Sequence, residues 1–317
     1  MNGLLVTIVI DTITARFDCA TGALADSLSG LLTALDRQTY PQELIERIVV
    51  LDDKVATADA IELRRRYPSV KLIVSPVSNY FAAKNAGAAA SAGEIIALID
   101  SDCVPEPGWL EALLAPFECG VAAVGGRSRY TGSSWLEWTF SIPDFAYILA
   151  EDDGSASGFN LHNVAFRREV LLAHPLDARI PRDGGCYLLF HQLRAEGARV
   201  LNEPRAVVEH GLDFHGLGFV RKHFNRGYDG AMVYRLDDRA VLRGTRLFRR
   251  LGAVALVAIT GRRIVVDWRR MVRYRRQIGI PVVALPYFGT VTVGTRLIEL
   301  IGGLLATVPS RSLRQET

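Results

Sequence analysis

Asp100 and Asp102 close an apolar run and are the residues here with the clearest capacity for chemistry. Where a strand ends, residues i and i+2 project to the same side, so both carboxylates can converge on one cation. Hard divalent cations take oxygen donors, and magnesium typically uses one or two carboxylates, leaving positions for phosphate oxygens and water. The pair therefore suits a metal–diphosphate complex, although short acidic pairs are also common in turns and the spacing alone is weak. A second pair, Asp52-Asp53, follows the apolar run 48–51. It fits either a turn, where Asp is favoured, or a nucleotide contact. Neither a dinucleotide glycine fingerprint nor a P-loop occurs, which argues against those chemistries.

The elements around these pairs alternate. Runs 4–10, 48–51, 71–74 and 94–99 read as strands. Between them, 22–37 places Leu24, Leu28, Leu31, Leu32 and Leu35 at helical spacing, 57–66 is helical, and 80–92 is an alanine-rich helix. Such alternation predicts an α/β fold with a mostly parallel sheet covered by helices on both faces. Ligands of such sheets bind beyond the carboxyl ends of the strands, which is where both acidic pairs fall.

The stretch 82–114 resembles the family 2 glycosyltransferases of the GT-A fold. The family's R-N-x-G helix, G-E-I-I strand, D-x-D and P-x-x-W-L helix start read here Lys84-Asn85-Ala86-Gly87, Gly93-Glu94-Ile95-Ile96, Asp100-Ser101-Asp102 and Pro107-Gly108-Trp109-Leu110. Upstream, QTYP at 38–41 and Asp52-Asp53 are similar to its Q-x-Y-P turn and V-D-D segment. Downstream, Asn163 to Arg168 match N-x-A-x-R-R, and His210 stands where the family has a late histidine. Two departures stand out: Asp11 replaces the proline of the family's opening V-I-P-T-Y-N, and Lys54-Val55 replace the glycine and serine after V-D-D.

The resemblance implies a Rossmann-like GT-A catalytic domain over 1–230 and a metal-dependent, inverting transfer of a sugar from a nucleotide-diphosphate donor to an acceptor hydroxyl. It implies Mn2+ or Mg2+ held by Asp102 and His210. Donor contacts would come from Asp52, Asp53, Lys84 and Asp100, with a UDP-sugar favoured and GDP- or TDP-sugars allowed. The family's acidic pair ahead of its x-R-L-x-x-x-G helix aligns with Gly185-Cys186, which cannot serve as a base, so the nearby Asp183 is the candidate. Lys222 and Arg226, in a segment like the family's later basic region, would either neutralise diphosphate or form a solvated helix face. His162, His191, His215 and His223 show no metal spacing.

Residues 231–317 change character. They carry sixteen arginines, no lysine and five acids, a net of +11 against −8 for residues 1–230. Arginine clusters between apolar runs predict a helical extension. It would be either a peripheral contact with anionic lipid or an appendage packed on the domain or on a second copy. Two prolines and several glycines in 278–308 argue against one spanning helix. No nucleic-acid-binding signature accompanies the arginines. Four cysteines without CxxC spacing, and no signal-peptide pattern, point to a cytoplasmic protein at or near the inner face of a membrane. The acceptor is unspecified. The competing readings are an inactive scaffold or sugar-nucleotide sensor and, against the absence of an early glycine-rich loop, a sugar-phosphate nucleotidyltransferase.

Overall fold

The computed structural model describes residues 3–13, 23–131, 139, 154–211, 217–278 and 280–307. They divide into two compact units. The first comprises Met1–Ser133, Tyr147–Pro181 and Gly185–Leu212; the second comprises Ser134–Ala146, Arg182–Gly184 and Asp213–Thr317.

The first unit is built on an eight-stranded sheet. In chain order its elements are β1 (Val6–Asp11), α1 (Ala23–Asp36), β2 (Ile45–Leu51), α2 (Thr57–Arg66), β3 (Lys71–Val74), α3 (Tyr80–Ala89), β4 (Ile95–Asp100), β5 (Cys103–Pro105), α4 (Trp109–Leu114), β6 (Ala123–Thr131), β7 (Asn163–Arg167), α5 (Arg168–Ala173), α6 (Gly185–Ala195) and β8 (Val200–Gly211). The sheet order is β3-β2-β1-β4-β7-β6-β8-β5. The β3-β2-β1-β4 half is parallel. Beyond β4 the sheet is mixed, with β7 antiparallel to both neighbours, β6 parallel to β8 and β5 antiparallel to β8.

β1 and β4 are buried at every position, as strands sandwiched between helix layers must be. The leucines of α1 at 24, 28, 31, 32 and 35 are all at most 1% exposed and pack with Ile8, Ile10, Ile99 and Trp109 in the main core. α3 needs Gly87 because a Cβ there would lie 2.2 Å from a Val9 methyl carbon and 3.1 Å from one of Val50. A bare helix face lets α3 press directly on β1 and β2.

The described part of the second unit is helical: α7 (Leu217–Leu236), α8 (Arg243–Leu251), α9 (Ala253–Ile278) and α10 (Leu285–Thr307). The interrupted helix expected near the C-terminus is in fact continuous over 23 residues. Pro281 precedes it and Pro286 lies in its first turn, where no intrahelical N–H is lost. Its glycines serve packing rather than breakage. A Cβ on Gly302 would lie 2.1 Å from the Phe224 carbonyl oxygen, and one on Gly227 of α7 would lie 1.8 Å from that of Glu299. Residues 282–307 are long and apolar enough to cross a membrane, yet 44% of the most apolar window is buried within the protein. Inside the bundle Arg296 pairs with Asp267 at 2.7 Å and Glu299 at 2.5 Å, and Glu299 accepts from His223 Nδ1 at 3.0 Å.

Candidate active site

β1 and β4 run in register, so their last residues, Asp11 and Asp100, are partners across the ladder. Two buried like charges side by side are unfavourable, and α3 supplies the counter-charge. Lys84 is fully buried, with Nζ 2.9 Å from Asp11 Oδ2 and 2.7 Å from Asp100 Oδ1. Tyr80, one turn earlier, donates its hydroxyl between the Asp100 oxygens at 2.9 and 3.1 Å, and its ring centroid lies 4.6 Å from Lys84 Nζ. Burial opposes ionisation of Asp100, but the Lys84 ammonium outweighs it and holds the carboxyl well below its usual range. Burial would equally discharge Lys84, yet Asp100 and Asp11 keep it raised. Asp100 is thus a fixed anion. Lys84, of which a donor contact was expected, lies in this network with its ammonium between the two carboxylates.

Asp102, two residues on, is partly exposed and faces His210 of β8. Pairing of β5 with β8 makes Cys103 the register partner of His210, which brings the imidazole to the DxD. His210 Nδ1 lies 3.1 Å from the Gly211 carbonyl oxygen. A carbonyl only accepts, so Nδ1 carries the proton, and Nε2, 3.7 Å from Asp102 Oδ1, presents its lone pair when the ring is neutral. His162 adjoins them: its ring centroid is 4.8 Å from that of His210 in an edge-to-face arrangement. Donor atoms of Asp100, His162 and His210 lie within 4.8 Å of one another, as do those of Asp102, Cys103 and His210. Carboxylate oxygens and imidazole nitrogens so grouped fit a divalent cation. Cys103 is the poorest donor, because it is fully buried within the apolar core and burial raises its thiol.

Asp52 lies just past β2. Its carboxylate accepts the Lys54 N–H at 2.9 Å and the Ser78 hydroxyl at 2.7 Å, and its own N–H donates to Thr12 Oγ1 at 2.8 Å. Burial pushes its pKa up, but these hydrogen bonds prevail and lower it. Asp53 is exposed and raised by the adjacent Asp52 carboxyl. Asp52 and Asp100 therefore share one sheet edge, two strand spacings apart because β1 lies between them, or roughly 10 Å at the backbone.

Asp183 and Arg226 belong to the second unit. The backbone N–H groups of Arg182 and Asp183 donate to Asp229 Oδ2 of α7 at 3.2 and 2.9 Å. Asp229 is pushed up to about 6, chiefly by burial and further by the Asp183 charge. Arg226 lies on α7 close enough to Glu299 to help keep that carboxyl ionised.

Several motif residues prove to be architectural clips. Asn163 Nδ2 donates to the carbonyls of Arg127 and Ala206 at 3.0 and 3.1 Å, and its Oδ1 accepts the Trp109 indole N–H at 2.8 Å. Asn85 exchanges two hydrogen bonds with Leu176 at 2.8 and 2.9 Å. Gln38 ties α1 to Glu106 and Leu110 at 2.9 and 3.0 Å. Arg167 and Arg168 cap carbonyls of Phe117, Val121 and Ser91. Sequence reasoning passed over Tyr80 and His162. Only the antiparallel β4–β7 pairing, which aligns Ile99 with Asn163, carries the next residue, His162, toward Asp100.

Comparison with known proteins agrees with this geometry. Residues 20–173 match the family described as glycosyl transferase family 2. The chain is 32% identical over 113 residues to "Glycosyltransferase AglE" of Haloferax volcanii, covering 34% of this chain and 36% of that relative, so the match spans about a third of its length. It is 24% identical over 242 residues to the glucosyl-dolichyl phosphate glucuronosyltransferase of the same organism, covering 68% and 75% of the two chains. Among solved structures, the mannosyltransferase PcManGT from Pyrobaculum calidifontis, in complex with GDP-Man and Mn2+, superposes with a TM-score of 0.64 at 14% identity, covering 95% of this chain and 87% of that one. GalNAc-T7 with UDP, GalNAc and Mn2+ superposes with a TM-score of 0.55 at 14% identity, covering 78% and 51%.

Proposed function

We propose, from the premise that the chain carries a family 2 glycosyltransferase domain on a GT-A fold, that it is a metal-dependent inverting glycosyltransferase drawing on a nucleotide-diphosphate sugar. The observation that carries this reading is the placing of His210 within reach of both DxD carboxylates, its donor atoms grouping with those of Asp100 and His162 and, separately, with those of Asp102 and Cys103. Asp102 and His210 would hold Mn2+ or Mg2+, which supplies positive charge against the charge that grows on the departing diphosphate. Asp100, kept ionised by Lys84 and braced by Tyr80, orients the donor ribose or a coordinated water. Asp52, fixed by Ser78 and the Lys54 amide, contacts the nucleoside, with Asp53 beside it. Asp183 accepts the acceptor hydroxyl's proton as it attacks the anomeric carbon, and Arg226 contributes cationic charge toward phosphate. The 1–230 segment would be catalytic and 231–317 its helical extension.

The relative acting on a dolichyl phosphate-linked sugar favours a lipid-linked acceptor here. So does the exposed face of α9, where Val254, Val257, Val265, Trp268 and Val272 are each at least 40% exposed and Arg262, Arg269, Arg273 and Arg276 are exposed alongside. Apolar and arginine stripes on one helix suit an interface with anionic lipid, on the cytoplasmic side. Failure to co-float with anionic liposomes would remove that part of the proposal.

Calorimetry with UDP, GDP and TDP, each with and without Mn2+, tests the donor site. One nucleotide should bind in a metal-dependent way and be lost in Asp102→Ala. Binding by none of them would leave a scaffold rather than a transferase.

A further inference from the structure

We propose that His162 joins His210 as a second imidazole donor to the metal ion of this site, and that this second imidazole makes the site prefer Mn2+ over Mg2+. The inference rests on the metal-site reading above and adds a residue and a selectivity to it.

Three strands deliver the group. β4 ends at Asp100. β7 runs antiparallel to it, and its first residue, Asn163, pairs with Ile99. One more step of that register carries His162 toward Asp100. β8 brings His210 to the same place, paired with Cys103 on one side and with position 130 on the other. Strand β6, between β7 and β8, contributes Ser128, whose hydroxyl lies 2.7 Å from His162 Nε2.

His162 is 9% exposed, so its ring is held rather than solvated. Ser128 on one ring nitrogen fixes the ring plane, the kind of outer partner that metal-binding histidines usually have. The edge-to-face contact with His210 sets the two imidazoles at an interplanar angle of 70°. Rings so disposed can aim at one point without stacking on each other. A purely packed histidine would need neither the Asp100 carboxylate nor a second imidazole within 4.8 Å.

The selectivity follows from donor chemistry. Mg2+ prefers an oxygen shell with near-ideal octahedral geometry and keeps several waters. Imidazole nitrogen suits the first-row transition ions better. Each imidazole therefore shifts the balance from Mg2+ toward Mn2+, and a second one shifts it further.

The test uses the full chain freed of metal by chelation. Mn2+ binding is followed by loss of the free-ion electron paramagnetic resonance signal, and Mg2+ binding by its competition with Mn2+. His162→Gln should weaken Mn2+ roughly 10–100-fold, the scale on which lost ligand support acts, while Mg2+ affinity changes less than about threefold. Ser128→Ala, which keeps the imidazole and removes its brace, should fall between. Wild-type Mn2+ affinity in His162→Gln overturns the inference and leaves the Asp102–His210 site standing. Wild-type protein that takes up no Mn2+, with or without UDP or GDP, overturns both. Electron spin echo spectra of wild-type protein with 15N-labelled histidine need no variant to fold. Two coupled imidazole nitrogens on bound Mn2+ are expected, and a single one overturns the assignment.

Discussion

Asp11 and Asp100 end neighbouring parallel strands as register partners, and the ammonium of Lys84 closes the gap between them at 2.9 and 2.7 Å. The aspartate that departs from the family's usual proline is thus one arm of a buried ion triad. Through that triad the Lys84 ammonium holds the first DxD carboxylate ionised from behind.

Lys84→Met should therefore cost about 3–5 kcal/mol of stability, the range for leaving a buried ionic partner uncompensated. Asp11→Asn should cost less, since Lys84 keeps Asp100. Urea denaturation midpoints of the two variants check the order. Equal losses would mean that Asp100 alone does not satisfy the lysine.

The strand–helix alternation, the α1 leucines and the acidic pairs at strand ends were legible in the sequence, because period and composition encode them locally. The ion partners of Lys84 were not legible, since they are 73 and 16 residues away and only strand register aligns them. His162 was hidden for the same reason. The continuity of α10 was misread because prolines and glycines were counted as breakers. Pro286 sits where a helix tolerates it, and Gly302 lies where α7 must come close.

Asn163→Ala removes the acceptor of the Trp109 indole and the donor to two carbonyls. Buried groups left unsatisfied cost about 1–3 kcal/mol each, so the thermal midpoint should fall by several degrees. Metal affinity, measured well below that midpoint, should stay near wild type. A selective loss of metal binding without destabilisation would give Asn163 a direct role in the site.

Asp183→Asn should lower transfer by roughly 10²–10⁴-fold, the range for removing a general base, and leave nucleotide affinity within about twofold. The assay is product formation beside calorimetry on one protein batch. Full turnover in the variant would assign the proton to another group.

Asp229 gives a pH signature. Its carboxyl titrates at about 6 in the folded chain against 3.8 for an unperturbed one. Between those values the unfolded chain has released a proton that the native state still holds, so stability falls as pH rises from 4 to 6. Asp229→Asn should remove this contribution and flatten the stability profile in that window. A slope unchanged in the variant would place its origin elsewhere.

The ion pairs inside α7, α9 and α10 bear on how this chain could meet a bilayer. By hydropathy, α10 looks like an autonomous anchor that could be cut out and grafted. It carries Arg296 and Glu299 as internal cargo, and their partners, the Asp267 carboxylate and the His223 imidazole, reside on the other two helices. Lifted alone into hydrocarbon, the helix would keep the Arg296–Glu299 pair but lose Asp267 and His223, and an arginine near the midplane costs about 2.5–3.5 kcal/mol. Any contact of this region with lipid would accordingly involve the three helices together, and a reporter fused to α10 by itself should stay in the aqueous fraction.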